Sequence, residues 1–128
     1  MEKDTIKQLE RRRFVRANYP CRVKVYSGLH KGETFFTYTE NISCGGVCVV
    51  LEKDIGLFVN VDIQVDLEDG LGWLKCKGKT VWVARRSEWS EKRPRHFNTG
   101  AEFVDLTEKD RLRITEVIQI CLTKEGQS

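Results

Sequence analysis

The chain has 128 residues with 22 Lys and Arg against 19 Asp and Glu. That is enough for one self-supporting domain, and a net charge of +3 is too mild for a broad nucleic-acid-binding face. Its 40% hydrophobic and 32% charged residues exclude a wholly disordered chain. No apolar run reaches membrane-spanning length and none follows Met1–Asp4 as a secretory signal would, so a cytoplasmic protein without membrane insertion is expected.

Residues 2–13 are polar, with Ile6 and Leu9 as apolar anchors, and fit either a short helix or a mobile tail. Arg11, Arg12, Arg13 and Arg16 then crowd together, while acids such as Asp62, Asp66, Glu68 and Asp69 sit elsewhere. A local arginine cluster on a nearly balanced chain points to a discrete anion site. From Cys21 the period is two: Cys21, Val23 and Val25 alternate with Arg22, Lys24 and Tyr26, a half-buried strand. A turn through Gly28–Gly32 leads to Thr34–Thr39, rich in aromatic and β-branched residues. After a break at Asn41–Gly46, the continuous apolar run Val47–Leu51 predicts a central strand.

Val61, Ile63, Val65 and Leu67 alternate with Asp62, Gln64, Asp66 and Glu68, defining one core face and one wet face. The Asp69-Gly70 turn predicts a long strand from Leu71 to Ala84. Its apolar parity changes between Cys76 and Val81, and Gly78 at the switch predicts a bulge or bend there. Trp73 and Trp82 on this strand are expected to be core or barrel-face residues. Residues 86–96, charged and containing Pro94, predict an exposed hairpin loop in which Trp89 is a candidate partner contact. A last strand spans Phe97–Val104. Thr107 is a good N-cap, and Ile114, Val117, Ile118 and Cys121 lie on one helical face. The fold class is therefore dominated by β structure: a six-stranded antiparallel barrel with a C-terminal helix. The expected domain spans 11–122, between tails at 1–10 and 123–128, with 123–128 disordered.

The five cysteines (Cys21, Cys44, Cys48, Cys76, Cys121) form no CxxC pair and have no nearby histidines. They are a poor disulfide framework and a poor zinc site. His30 and His96 are isolated, and no serine or cysteine has a recognisable catalytic partner. Neither an enzyme nor a bound metal or cofactor is expected.

Two segments stand apart from the packing pattern. The first is Glu10–Arg16, whose guanidinium groups repel one another unless an anion neutralises them. Arginine suits phosphate through its planar fork, and the same fork matches guanine O6 and N7. The second is Asn41-Ile42-Ser43-Cys44-Gly45-Gly46. Its short polar side chains can bond backbone or ligand, and its glycines permit positive φ and close approach. Taken singly, a solvated basic tail and a tight turn account for them.

Together, and in this order, Arg12–Arg16 (RxxxR) and Asn41–Gly46 (NxSxxG) resemble the cyclic di-GMP signature of PilZ domains, RxxxR followed by (D/N)xSxxG. Gly100-Ala101-Glu102-Phe103 is similar to the family's last, glycine-containing strand. The resemblance implies a six-stranded barrel with a helical C-terminus that binds the nucleotide across its outer surface. It implies that Arg12 and Arg16 grip phosphate and guanine from a flexible segment. Asn41 and Ser43 would then bond a guanine edge or phosphate, and Gly46 would leave room for the turn. Arg11, just before RxxxR, implies a stacked ligand pair, two per protomer. The implied role is a receptor that changes shape on binding and signals to a protein partner. The alternatives are a PilZ-like interaction module that binds no nucleotide, and a small barrel for RNA or single-stranded DNA. The acids alternating along 62–68 and the modest charge argue against the latter.

Overall fold

The structure, a computed structural model, describes residues 17–28, 32–85 and 96–127, with helix side chains described through Thr123. The strands are β1 (Arg22–Ser27), β2 (Glu33–Ile42), β3 (Gly46–Leu51), β4 (Asn60–Asp66), β5 (Leu74–Arg85) and β6 (Phe97–Phe103). Helix α1 (Glu108–Gln127) follows them. All pairings are antiparallel, and the order β1-β2-β3-β6-β5-β4 closes into a barrel.

Period-two alternation sets the register. Val23 pairs with Val65 and Val25 with Ile63, and on the other side of β4 Ile63 pairs with Cys76 and Val65 with Leu74. All of these side chains are buried in one core. The intervening residues form the wet face, where Arg22 binds Asp66 across the β1–β4 pair and leans over the Trp73 ring beside Lys24. A slip of one residue would turn the whole core set outward, so the register is strongly specified.

The bend in the long strand does not lie at Gly78. The register shifts between Thr80 and Trp82, and Leu74, Cys76, Gly78 and Thr80 all point inward. A Cβ on Gly78 would stand 2.4 Å from Ile63 Cδ1 and 3.0 Å from the Glu102 carbonyl oxygen, so glycine there serves close strand packing. Thr80 organises the bulge. Its hydroxyl donates to the Gly56 carbonyl (2.7 Å) and accepts from the Val59 N–H (2.9 Å). Its backbone bonds Phe58 and Val59. The strand also begins later than its apolar pattern suggests, at Leu74. Residues 71–73 belong to a turn with Gly70 and Gly72 at positive φ, a conformation that favours glycine.

That turn meets the helix. Thr107 caps α1 by accepting the Asp110 N–H (3.1 Å), and Ile114, Val117 and Ile118 are buried against the barrel. Between them Arg113, 8% exposed, donates to both Asp69 carboxylate oxygens (2.8 Å each) and to the Gly72 carbonyl (2.7 Å). The helix continues to Gln127, past residue 122. None of the described helices is long and apolar enough to cross a membrane. All five cysteines are free. Burial pushes the Cys21 and Cys76 thiols up to about 12, so both behave as small apolar side chains.

Candidate functional site

The segment entering β1 is tied down before the strand begins. Ala17 and Ile42 exchange backbone hydrogen bonds in both directions (3.0 and 3.1 Å). The Thr39 hydroxyl accepts from the Cys21 N–H (2.9 Å) and bonds the Tyr19 carbonyl, while Tyr19 donates to the Leu67 carbonyl (3.0 Å). Arg11, Arg12 and Arg16 lie outside the described residues, as do His30 and Trp89. The bridge nevertheless fixes their point of attachment. Ala17, next in sequence to Arg16, pairs with Ile42, next to Ser43, so both polar segments issue from one pair of bonded residues.

The three described site residues play different parts. Ser43 is buried, and its Oγ accepts from the Gly45 and Gly46 N–H groups (3.1 and 3.3 Å). The Ser43 N–H donates to the Gly46 carbonyl (2.9 Å). Its hydroxyl therefore folds the turn, in the manner of hydroxyls that mimic a backbone turn. Asn41 stands half-buried on the outer face of β2. Among the described residues its side-chain amide has no hydrogen-bond partner, which leaves a donor and an acceptor on offer. Gly46 opens β3, and neither it nor Gly45 is among the positive-φ glycines. A Cβ on Gly46 would stand 2.2 Å from the Ala101 carbonyl oxygen and 3.0 Å from Glu102 Cα. The room this glycine leaves is room for β6 to approach.

Cross-strand register extends the site sideways. Asn41 pairs with Cys48, Cys48 with Gly100, and Gly100 with Trp82. The row lies on the face opposite Ile42, Val47, Val49 and Ala101, which fill the core, with Cys48 in its middle buried. The pyrrole part of the Trp82 indole covers Gly100, where a Cβ would meet Nε1 at 2.2 Å and Cε2 at 2.4 Å. The result is a smooth floor three strand spacings wide, roughly 14 Å, with a free amide at one end and a partly exposed indole at the other. Period-two reading puts Trp82 on the long strand, but its place opposite Gly100 depends on the bulge and is not visible in the sequence.

A second unforeseen contact joins the turn to the helix. Cys44 Sγ sits 3.1 Å from Thr115 Oγ1 and 3.6 Å from the Arg111 carbonyl. Cys44 thus joins the Ser43–Gly46 turn to α1.

Comparison with known proteins agrees with this architecture. The PilZ domain family model matches residues 10–119. Among solved structures, the Bacillus subtilis inhibitor of motility MotI/DgrA is similar over 91% of this chain and 52% of its own, with TM-score 0.68 and 17% identity. The PilZ domain of YcgR from Escherichia coli, solved with c-di-GMP, is similar over 91% of this chain and 95% of its own, with TM-score 0.67 and 15% identity. The MrkH–c-di-GMP complex of K. pneumonia is similar over 91% and 54%, with TM-score 0.67 and 12% identity. The chain thus spans about half the length of MotI and of MrkH. No curated protein matches it in sequence. With the family model covering all six strands and the first part of the helix, the chain belongs to the PilZ domain family.

Proposed function

We propose that this chain is a cyclic di-GMP receptor, a binding module without catalytic activity that signals to a partner protein by a ligand-dependent change of shape. The observation that carries this reading is the Ala17–Ile42 bridge, which ties the arginine segment to the Asn41–Gly46 turn at the edge of the outward floor. A cyclic dinucleotide offers two phosphates for arginine forks and two flat bases for a smooth surface. Arg12 and Arg16 hold phosphate and guanine, Asn41 supplies the free amide, and Ser43 keeps the turn in shape for the contact. Arg11 favours a second, stacked ligand. The Cys44–α1 contact gives ligand at the turn a route to the helix. The working compartment is the cytoplasm, where five free thiols stay reduced.

Calorimetric titration with cyclic di-GMP tests this. Wild type is expected to saturate at two ligands per chain, and Arg12→Ala to lose measurable heat. Ser43→Ala is expected to bind at least about tenfold more weakly through loss of the turn, and Ser43→Thr to retain binding. Saturation at one ligand per chain would remove the stacked pair while leaving the receptor. Absence of heat from a folded wild-type protein would make the chain a nucleotide-independent interaction module.

Trp82→Ala tests the floor separately. Stacking of a base on an aromatic side chain is worth about 1–3 kcal/mol, so affinity is expected to fall by roughly ten- to a hundredfold. Unchanged affinity would place the bases away from the Trp82–Gly100 end.

A further inference from the structure

Four neighbouring strands, in the order β2-β1-β4-β5, share one continuous outer face. Register divides it into rows. Tyr38 pairs with Arg22, and Arg22 with Asp66. In the next row Phe36 pairs with Lys24, Lys24 with Gln64, and Gln64 with Lys75. In the third, Tyr26 pairs with Asp62 and Asp62 with Lys77. On β1, β4 and β5 these residues alternate with the buried Val23, Val25, Ile63, Val65 and Cys76, so their side chains stand outside the barrel. An open groove of about 490 Å³ crosses the second and third rows.

Rings and cations are interleaved on this face. Phe36, Tyr38 and Tyr26 are 74%, 61% and 41% exposed. Beside them the Lys24 ammonium lies 4.5 Å from the centre of the Trp73 ring, a contact that orients the charge without neutralising it. Among the described residues Lys24, Lys75 and Lys77 form no ion pair, and the Gln64 amide has no hydrogen-bond partner. The acids along 62–68 count against a nucleic-acid surface when read in sequence, but the fold disperses them. Asp66 is bound by Arg22, and Glu68 lies past the end of β4. Asp105, which also borders the groove, accepts the Lys77 N–H (2.6 Å). Among the described residues Asp62 is the one carboxylate of the groove without a hydrogen bond.

A strand that brings flat bases, phosphates and sugar hydroxyls matches this face group by group. Bases stack on bare rings whatever their sequence, and cations between the rings meet the phosphates. A carboxylate repels phosphate, but it accepts a hydrogen bond from a ribose 2′-hydroxyl, the group that distinguishes RNA from DNA. An acidic peptide would use the lysines and leave the rings idle.

We propose that the outer β2-β1-β4-β5 face binds single-stranded RNA. Phe36 and Tyr38 carry stacked bases, Lys75 and Lys77 bind phosphates with Lys24 between them and the rings, and Asp62 receives a 2′-hydroxyl. None of these residues belongs to the Arg12–Arg16 or Asn41–Gly46 segments, so RNA binding here is independent of the cyclic di-GMP reading.

The test is fluorescence anisotropy of the whole chain with a labelled oligouridylate about ten nucleotides long, within the site sizes that small barrels cover. Saturable binding is expected, weakening as salt is added. Phe36→Thr and Tyr38→Thr each remove a ring while keeping strand propensity, and each is expected to weaken binding at least about fivefold. Lys75→Gln with Lys77→Gln is expected to flatten the slope of log affinity against log salt by roughly 1.4, the loss of two phosphate contacts. All these variants are expected to melt with wild type, because the substituted side chains are exposed. The matching deoxyuridylate is expected to bind at least about tenfold more weakly, for want of the hydrogen bond to Asp62. Absence of binding, or equal affinity for the deoxy strand, would overturn the proposal. So would binding that survives the ring and lysine substitutions but falls with Arg12→Ala, which would place the RNA on the arginine segment. An oligoglutamate peptide that binds as tightly as the RNA, whether or not the rings are present, would also overturn it by making an acidic protein segment the occupant.

Discussion

Replacing Gly46 with alanine is expected to destabilise the barrel by about 3 kcal/mol, at the upper end of what overpacking a close-packed site costs. The added Cβ would stand 2.2 Å from the Ala101 carbonyl oxygen, which is backbone and cannot rotate aside. Either β3 and β6 separate, breaking the Gly46–Glu102 and Val47–Ala101 pairs, or the Ser43–Gly46 turn shifts. For a domain of this size the melting temperature is expected to fall by about 10 °C, read by circular dichroism. Gly28→Ala is the control, since its Cβ would meet nothing within 4 Å and should cost less than about 0.5 kcal/mol. A Gly46→Ala protein melting with wild type would show that β6 does not pack where the register places it. The same substitution is expected to impair ligand binding, because the Ser43 hydroxyl bonds the N–H of residue 46 itself.

The second large effect is expected at Arg113. Arg113→Met keeps the bulk of the side chain but removes the guanidinium donors from the Gly72 carbonyl and from Asp69, which keeps the Leu71 N–H. Breaking a buried pair on one side costs about 3–5 kcal/mol. The lower figure applies here because the Asp69 side chain is 18% exposed. Arg113→Met with Asp69→Leu is expected to recover part of the loss, since removing both charges avoids the unpaired one.

The pair also sets an acid response. The hydrogen bond from Arg113 holds the Asp69 carboxyl below its ordinary value, aided by the Leu71 N–H. Its folded pKa is therefore lower than its unfolded pKa. The stability it supplies is complete above the unfolded value of about 3.9 and is lost as pH falls through the folded value. Denaturant titrations from neutral pH down through the carboxylate range should show a shallower acid loss in Arg113→Met than in wild type. The loss should not vanish, because Asp66 is held down in the same way by Arg22. Parallel acid limbs in the two proteins would show that Asp69 gains nothing from Arg113.

Much of this molecule is local in its sequence. The alternation Val61–Glu68 needs no partner to declare a strand with one wet face, and the structure pairs its core set with Val23, Val25, Leu74 and Cys76. The spacing of Ile114, Val117, Ile118 and Cys121 declares one buried helical face in the same way. The parity change of the long strand is only partly local. Sequence places it between Cys76 and Val81, but its position at Thr80–Trp82 is decided by hydrogen bonds from Thr80 to Gly56 and Val59, residues of a different loop. Leu71 and Trp73 carry the apolar character of a strand, yet residues 71–73 belong to a turn with Gly70 and Gly72 at positive φ, which Arg113 binds from the helix.

The candidate site divides along the same line. Sequence by itself determined the period-two strands, the amphipathic helix, and the two polar segments whose order matches the family signature. Each of these depends on residues close together in the chain. The Ser43 turn is local as well, since its hydroxyl bonds N–H groups two and three positions on. Only the tertiary structure decided that Gly46 makes way for β6 and that Trp82 lies over Gly100 on the row that begins at Asn41. These properties follow from strand register and barrel closure, in which each contact joins residues tens of positions apart. Such pairings are fixed by the simultaneous packing of one core, and no local pattern of side chains encodes them.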